Sequence, residues 1–213
     1  MGRMRGKMLK IWGRNNSINV QKVLWCADEL GLNYERVDIG GAFGGNREAA
    51  YLAMNPNGLV PTIEDDGLVL WESNTIVRYL AAKHGAGTLC PTTPAARADV
   101  ERWMDWQLTT VSRDMGVVFW GLVRTPPEKR DPAAIETSRK ALCTIWATLD
   151  RHLATRAFVG GDTLTMGDIP VGCMAYRWLN LPLERNELPH LKAWYDRLTT
   201  RPGYRKHVMP PMT

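Results

Sequence analysis

The sequence lacks three features that would place it in familiar classes of protein. No apolar run approaches the roughly 18 residues of a transmembrane helix, so we expect no membrane span. No basic block interleaved with aromatic residues occurs, and the formal charge of +5 is spread along the chain, so we expect no nucleic-acid partner. No Cys-x-x-Cys pair occurs, which excludes a dithiol redox centre and a zinc site of that kind. The four cysteines are widely separated, at Cys26, Cys90, Cys143 and Cys173.

What is present suits a soluble protein of two small domains. The 213 residues are 45% hydrophobic, which is enough to bury a core in one large domain or in two small ones, and we favour two. Cysteines without a pairing pattern fit the reducing cytoplasm. The basic segment 1–7 leads into no apolar stretch of signal length, so we interpret it as a disordered leader.

Hydrophobic periodicity in the first 84 residues predicts the order βαβ, a glycine-rich loop, then ββα. Segments 9–12 and 34–39 are predicted strands, and an Asp-Gly pair at 66–67 predicts a tight hairpin turn. A helix that Gly31 ends is predicted between the first two strands. Its apolar residues have helical spacing: Val20, Val23, Leu24, Ala27 and Leu30. A second helix follows Ser73.

The second half has the pattern of an all-helical domain. A long helical segment should run to the proline pair at 126–127, and an Asp-Pro pair at 131–132 is typical of an N-cap and a first helical position. Thr165 and Asp168 match a capping box with Thr165 as the cap, so we interpret Asp168 as structural. Pro170 should cost that helix one hydrogen bond. The last predicted helix ends before an Arg-Pro-Gly sequence near the C-terminus.

The most informative stretch is 55–61, which reads Asn-Pro-Asn-Gly-Leu-Val-Pro and precedes a predicted strand. Val60 stands before a proline, which favours extended backbone, so its amide and carbonyl should stay unpaired and able to hold another extended peptide. Glu72 and Ser73 then begin a helix, where exposed amides and the helix dipole favour an anion and Glu72 can accept from an ammonium group. Together these groups suit the head of a free amino acid. The alternative is that Val60 only enters a strand and Ser73 only caps a helix.

With these residues, the chain resembles the soluble glutathione transferase family. The resemblance is carried by the motif at 55–61, by Glu72-Ser73 and by Leu-Thr-Met-Gly-Asp at 164–168, in the family's order and separation. The resemblance covers nearly all of the chain outside the first seven residues. Within the family, the chain is similar to bacterial serine-type members of the theta, zeta and nu kind.

The resemblance implies a fold class, a division into domains and an assembly. We expect an α/β thioredoxin-like N-terminal domain at 8–84 that binds glutathione, a linker at 85–95, and an all-α C-terminal domain at 96–213 that contributes the hydrophobic co-substrate site. It also implies a homodimer and no metal.

The resemblance further implies how glutathione is held. The residue before the motif's last proline pairs with the cysteinyl backbone, that proline is cis, and the Glu-Ser pair holds the γ-glutamyl end. These roles fall to Val60, Pro61, Glu72 and Ser73. Many members secure the glycine carboxylate with a basic or amide residue at the position of Leu59, which this chain lacks. The candidates to replace it are Arg14, Asn57 and Arg47.

The glutathione sulfur should lie near the start of the first helix, where Ser17 is the first candidate to stabilise the thiolate and Asn19 the second. A free thiol of pKa about 8.5 is mostly protonated at neutral pH, and one hydrogen bond to the charged form lowers that pKa by one to two units. Ser17 and Asn19 reproduce a spacing found in related bacterial members. The alternative for Ser17 is a helix cap. No cysteine stands at 17, which disfavours a mixed-disulfide mechanism.

The electrophile should bind between the domains, against the first long helix of the second half. Trp106, Arg113, Val117 and Trp120 have intervals of one helix face. Core packing is an equally good interpretation of the tryptophans. Arg113 is the better indication, because a buried arginine usually has a partner and could bind an anionic part of the co-substrate.

The preferred function is therefore a glutathione S-transferase that conjugates the thiolate to small hydrophobic electrophiles, as in detoxification. A glutathione-dependent disulfide-bond oxidoreductase is the first alternative, because glutathione can supply the sulfur. A non-catalytic ligand-binding or interaction module is the second.

Overall fold

Four short strands form a mixed sheet in the computed structural model, which describes residues 8–213. The strands are β1 (Leu9–Trp12), β2 (Tyr34–Val37), β3 (Thr62–Asp65) and β4 (Leu68–Trp71), in the order β2-β1-β3-β4. β1 pairs parallel with β2 and antiparallel with β3, and β3 and β4 form a hairpin. Asp66 and Gly67 have φ of 48° and 89°, as a tight hairpin turn requires. The predicted leader lies outside the described residues.

Three helices accompany the sheet and complete the predicted order. They are α1 (Ile18–Glu29), α2 (Ala49–Leu52) and α3 (Ser73–His84), with a short 3₁₀ turn at Gly41–Phe43 inside the glycine-rich loop. The thioredoxin-like first half is thereby confirmed. No helix within residues 8–213 is long and apolar enough to cross a membrane.

The second half is helical, as predicted, but its helices differ in detail from the prediction. They are α4 (Pro94–Trp106), α5 (Ser112–Phe119), α6 (Pro132–Leu153), α7 (Asp168–Asn180), α8 (Pro189–Thr199) and α9 (Pro202–His207). Two π-helical turns, Gln107–Val111 and Trp120–Arg124, extend α4 and α5 into one continuous helical rod. The Asp131 carboxylate accepts from the Ala134 amide at 3.0 Å, which confirms the predicted start of α6.

The N-cap of α7 is Gly167, two residues after the predicted cap at Thr165, and the first helical residue is Asp168. The Asp168 carboxylate is fully buried and accepts from the amides of Val159 and Thr165 and from Trp194 Nε1, each at 2.9 Å. Thr165 Oγ1 donates to it as well, at 3.1 Å, instead of accepting as a capping hydroxyl would. Asp168 therefore ties the loop before α7 to α8.

α1 is the central helix and is buried on nearly all sides. It packs against α3 from the first half and against α7 and α9 from the second. Trp25 of α1 and Tyr204 of α9 are both buried, and their rings meet edge to face with centroids 4.8 Å apart. The core is thus continuous between the sheet half and the helical half.

Candidate functional site

The loop before β3 is held by side chains of its own motif. Asn55 is buried, and its Nδ2 donates to the Leu59 carbonyl at 2.8 Å and to Thr62 Oγ1 at 3.1 Å. Tyr51 Oη donates to the same carbonyl at 2.7 Å. The Asn57 amide donates to Asn55 Oδ1 at 3.1 Å. These bonds satisfy the Leu59 carbonyl next to Val60 and fix the conformation of the loop.

Val60 keeps its backbone polar groups free of bonds to the rest of the described chain. Neither its N–H nor its C=O is hydrogen-bonded to any residue in 8–213, and its bond to Pro61 is cis. The loop lies against the end of β1, because a Cβ built on Gly13 would come within 3.3 Å of Val60 Cβ and 2.4 Å of Val20 Cγ2. Gly13 at φ 153° lets the two segments approach. An extended peptide could pair with Val60 beside the start of α1.

Ser73 is the first residue of α3 and is nearly buried. Its hydroxyl donates to Asn19 Oδ1 at 3.3 Å, across to the first turn of α1. Glu72 precedes it with φ 74° and is exposed, and its carboxylate forms no ion pair within residues 8–213. The first amides of α3 are free to bind an anion next to Ser73, and Glu72 is free to bind a cation.

Lys22 lies beneath this helix start and was not among the predicted site residues. Its side chain is 1% exposed. Its ammonium donates to Gln107 Oε1 at 2.9 Å, to Asn74 Oδ1 at 3.2 Å and to Ser73 Oγ at 3.5 Å. Burial is the main reason that the pKa of Lys22 falls to about 8.

Ser17 directly precedes α1 and has extended backbone, with φ −87° and ψ 122°. Its hydroxyl makes no capping bond and no other hydrogen bond within residues 8–213, so it is available to a ligand. Asn19 is exposed and its side-chain carbonyl accepts from Ser73, which leaves its NH₂ group to donate. Ser17 and Asn19 thus lie at the same helix start, but of the two side chains only that of Asn19 is already hydrogen-bonded, to Ser73.

Arg14 extends from the same segment over the glycine-rich loop. A Cβ on Gly41 would lie 2.9 Å from Arg14 Cδ, and a Cβ on Gly40 would lie 3.4 Å from both Arg14 Nη1 and Val60 Cγ1. Within residues 8–213 its guanidinium has no hydrogen bond or ion pair. Burial lowers the pKa of Arg14, and the positive charge of Arg124 lowers it further. An unpaired cation therefore lies beside Val60.

The other two candidates for an anion site are already engaged. Arg47 Nη1 donates to the Asn57 carbonyl at 3.2 Å, and Asn57 Nδ2 donates to Asn55 Oδ1 at 3.2 Å. Both residues hold the loop at 55–61, whereas Arg14 does not.

Of the predicted electrophile residues, Arg113, Val117 and Trp120 are exposed at intervals of 4 and 3 on one face of α5 and the turn that follows it, and Trp106 is separated from that face. The π-helical turn Gln107–Val111 lies between Trp106 and Arg113 and changes the spacing on which that prediction depends. The Arg113 side chain is 83% exposed and pairs with Asp114 at 3.2 Å, so the expectation of a buried arginine is wrong.

The two tryptophans lie in different surroundings. Trp106 packs edge to face on Trp103 and Trp146, and it lines a cleft of about 480 Å³ together with Thr148 and His152. Trp120 is 57% exposed, and Arg124 lies over its ring at 5.0 Å. Of the two tryptophans, Trp120 has the large exposed apolar surface. Its neighbour Arg124 is close enough to Arg14 for its positive charge to lower the pKa of Arg14.

Comparisons with known proteins agree with this geometry. Residues 7–82 match the family described as "Glutathione S-transferase, N-terminal domain", and residues 132–197 match "Glutathione S-transferase, C-terminal domain". Glutathione S-transferase GstB of Escherichia coli K12 is 49% identical over 208 residues, which cover 97% of this chain and 100% of that relative. The chain belongs to the glutathione S-transferase family. Glutathione S-transferase 3 of Zea mays is 30% identical, over 95% of this chain and 96% of that relative.

Solved transferase structures have the same fold. The theta class glutathione S-transferase of Xanthomonas axonopodis pv. citri, determined with glutathione bound, superposes with a TM-score of 0.93. It is 50% identical to this chain and covers 96% of it and 99% of its own chain. Glutathione transferase F7 of Populus trichocarpa has a TM-score of 0.85 at 25% identity, over 97% of this chain and 100% of its own.

Within this transferase fold, sequence reasoning missed Lys22 and could not choose among the three candidates for an anion site. Lys22 shares its helix face with the apolar residues Ile18, Trp25 and Cys26, at i−4, i+3 and i+4, and this spacing is the local signal that its side chain faces the core. Its burial comes from α3 and from the rod of the helical half, which approach α1 from distant parts of the chain.

Proposed function

We propose that this chain binds reduced glutathione in its first half and conjugates it to small hydrophobic electrophiles. The observation that carries the proposal is the pair of free backbone groups on Val60, which lie between the Ser17 helix start and the loop that fixes them. The glutathione-bound structure of a 50% identical relative supports the choice of ligand. Val60 and Pro61 would hold the cysteinyl backbone, and Glu72 and Ser73 the γ-glutamyl end.

Ser17 would stabilise the thiolate. Its hydroxyl has no partner within residues 8–213, and the free amides of the first turn of α1 add a favourable dipole. Asn19 would be secondary, because its carbonyl is held by Ser73 and its amide group serves the γ-glutamyl side. None of the four cysteines suits the role of nucleophile, since all are buried, and burial raises the pKa of both Cys26 and Cys173.

The test is conjugation of a chloronitrobenzene by wild type and by Ser17→Ala. We expect kcat/KM to fall about ten- to a hundredfold in Ser17→Ala, because a hydrogen bond to a charged group is worth about 1.5 to 3 kcal/mol. Asn19→Ala should mainly raise KM for glutathione. Asn15→Ala is the matched control, because Asn15 is exposed next to the site. Equal rates in wild type and Ser17→Ala would remove Ser17 from this role.

The same preparation tests the alternative reaction. Turnover of hydroxyethyl disulfide with glutathione, without conjugation, would favour an oxidoreductase. Tight binding of a hydrophobic dye without either turnover would favour a binding module.

The division into domains and the electrophile site are part of the proposal. Residues 8–84 would hold glutathione, 85–95 would link, and 96–213 would supply the second pocket. Trp120 is the preferred electrophile contact. Arg124 Nη2 donates to the Thr213 carbonyl at 2.6 Å and Asn16 Nδ2 donates to Thr213 Oγ1 at 2.9 Å, so the end of the rod lies near the Ser17 helix start.

We also place the chain in the cytoplasm as a homodimer. Four buried cysteines without a disulfide suit a reducing compartment. Leu68, Val69 and Trp71 on the edge strand β4 are exposed, and an apolar sheet edge of this kind is typical of a protein interface.

A further inference from the structure

The interior of the molecule holds a cation without a matching anion. Lys22 is buried, and its three hydrogen-bond acceptors are two amide oxygens and a hydroxyl. No carboxylate in residues 8–213 forms an ion pair with it. Buried charges in proteins are normally paired, because removing an ion from water is costly. The buried charge of Lys22, which has no ion-pair partner among these residues, therefore calls for a functional explanation.

The amides around Lys22 are oriented so that they solvate a cation. Asn74 Nδ2 donates to the Met104 carbonyl at 2.9 Å, which turns Asn74 Oδ1 towards the ammonium. Gln107 Nε2 donates to Ser112 Oγ at 2.7 Å, which turns Gln107 Oε1 the same way. This arrangement holds the charged form in place without an ion pair, and Glu72 acts on the charge only from a distance.

Ser73, the third hydrogen-bond partner of Lys22, lies where the proposed ligand would bind. Ser73 begins α3, where the first backbone amides have no acceptor within the helix. A carboxylate bound there would lie on the far side of the Ser73 hydroxyl from the Lys22 ammonium. Amides in front and an ammonium behind would make this position strongly selective for negative charge.

We propose that Lys22 is a specificity-determining positioning residue, which acts through Ser73 as the counter-charge for the α-carboxylate of the γ-glutamyl group. This inference rests on the proposed function, in which Ser73 holds that end of glutathione. Lys22 also joins the two halves at this point, because Gln107 belongs to the first π-helical turn of the rod. Carboxylate recognition is thereby linked to the packing of the helical half on α1.

The charge on Lys22 predicts a pH dependence of binding. Besides the neutral amides, the titratable groups that face it are Cys173 and Arg177 on α7 and Glu72 before α3. Burial raises the pKa of Cys173 to about 12 and lowers that of Arg177 to about 10, so neither changes charge near pH 8. Burial lowers the pKa of Lys22 to about 8, and a bound carboxylate would raise it again. Affinity should therefore be full below about pH 8 and should fall as the pH rises above it.

The experiment compares two ligands by calorimetry at about pH 7 and about pH 9. One is S-methylglutathione, which has no titrating thiol. The other is S-methyl-(4-aminobutyryl)cysteinylglycine, the same ligand without the glutamyl α-carboxylate. The variant is Lys22→Met, and the control is Lys192→Met, which removes an exposed lysine of α8 and changes net charge equally.

We expect Lys22→Met to bind S-methylglutathione about ten- to a hundredfold more weakly than wild type, and to bind the decarboxylated ligand within about twofold of wild type. In wild type, the preference for the carboxylate should shrink from pH 7 to pH 9, and in Lys22→Met it should be small at both. Equal weakening for both ligands would overturn the inference and make Lys22 merely structural.

If Lys22→Met does not fold, Lys22→Gln replaces it, because the α-ammonium of S-methylglutathione also titrates between about pH 7 and about pH 9 and would by itself change the ratio of the two wild-type affinities. A ratio of the two affinities that stays constant between the two pH values would overturn the inference, because no titrating group would then act on the carboxylate. If wild type binds S-methylglutathione, the proposed ligand stands whatever the result for Lys22. If wild type binds neither ligand, the proposed function itself fails.

Discussion

Three residues at the candidate site leave strong polar groups without a partner in the described chain. They are the hydroxyl of Ser17, the backbone amide and carbonyl of Val60, and the guanidinium of Arg14. Folded proteins satisfy nearly all such groups internally or with water. Their convergence at one helix start means that the site is formed before a ligand arrives, and that its hydrogen-bonding capacity is reserved for that ligand.

Arg14 gives the first prediction at this scale. Its guanidinium lies beside Val60 over the glycine-rich loop, so we expect it to bind the glycine carboxylate in place of the residue missing at Leu59. Arg14→Leu should weaken binding of glutathione about tenfold, since one charge-assisted contact is lost. It should leave the C-terminal amide of glutathione, which keeps the glycine but not its carboxylate, nearly unaffected. Calorimetric titration of both ligands measures the difference.

Arg47→Leu is the control for this prediction, because Arg47 is exposed and bonded to the Asn57 carbonyl. It should affect both ligands alike, through the conformation of the loop. If Arg14→Leu also weakens both ligands alike, then Arg14 shapes the site and does not contact the glycine carboxylate.

Sequence reasoning worked at single residues where a motif fixes local geometry. Val60 precedes a proline and Ser73 starts a helix, and both are in the predicted places. It failed where burial depends on distant segments. Lys22 is buried by α3 and the rod, and Arg113 lies with Val117 and Trp120 on the exposed face of α5.

At the scale of elements, the largest omission was α9. The helix predicted to end before the Arg-Pro-Gly sequence at 201–203 does end there, as α8, but it is not the last one, because Pro202 is the first residue of α9. A proline at a first helical position is favourable, so the same short sequence ends one helix and begins the next. Pro170 is a related case. It is the third residue of α7, where the missing N–H has no acceptor in any case, so the expected loss of a hydrogen bond does not arise.

α9 gives a prediction that depends on one hydroxyl. Tyr204 is fully buried against Trp25, and its Oη donates to the Gly172 carbonyl of α7 at 2.9 Å. Tyr204→Phe should lower the free energy of unfolding by about 1 to 2 kcal/mol, because the buried carbonyl loses its donor. Denaturant unfolding followed by tryptophan fluorescence measures this change as a shift of the midpoint.

The matched comparison is Tyr176→Phe. Tyr176 Oη donates to the Met209 carbonyl at 2.9 Å near the surface, where water can replace the hydroxyl. Its effect should be smaller than that of Tyr204→Phe. If Tyr204→Phe unfolds at the same denaturant concentration as wild type, then the hydrogen bond from Tyr204 to Gly172 contributes little to stability.

At the scale of the whole molecule, the candidate site belongs to both halves. Ser17, Val60 and Ser73 come from the sheet half, whereas Gln107, through Lys22, comes from the rod. α1 carries this arrangement, because α3, α7 and α9 all pack on it. We therefore expect changes in the packing of the helical half to reach glutathione affinity through Lys22, without any contact to the ligand.

The exposed edge of the sheet leads to a prediction about assembly. β4 leaves Leu68, Val69 and Trp71 open to solvent at the edge of the sheet, and a monomer would expose this apolar strip together with unpaired backbone groups. A second copy of the chain that covers the strip would remove both liabilities. Light scattering after size exclusion should give twice the 24.0 kDa of one chain.

Trp71→Glu should shift this mass towards the monomer, because it buries a charge in the interface. Ala193→Glu, which adds the same charge to an exposed position of α8, should leave it unchanged. A wild-type protein of one-chain mass, or a Trp71→Glu variant of unchanged mass, would place the interface elsewhere or exclude the dimer.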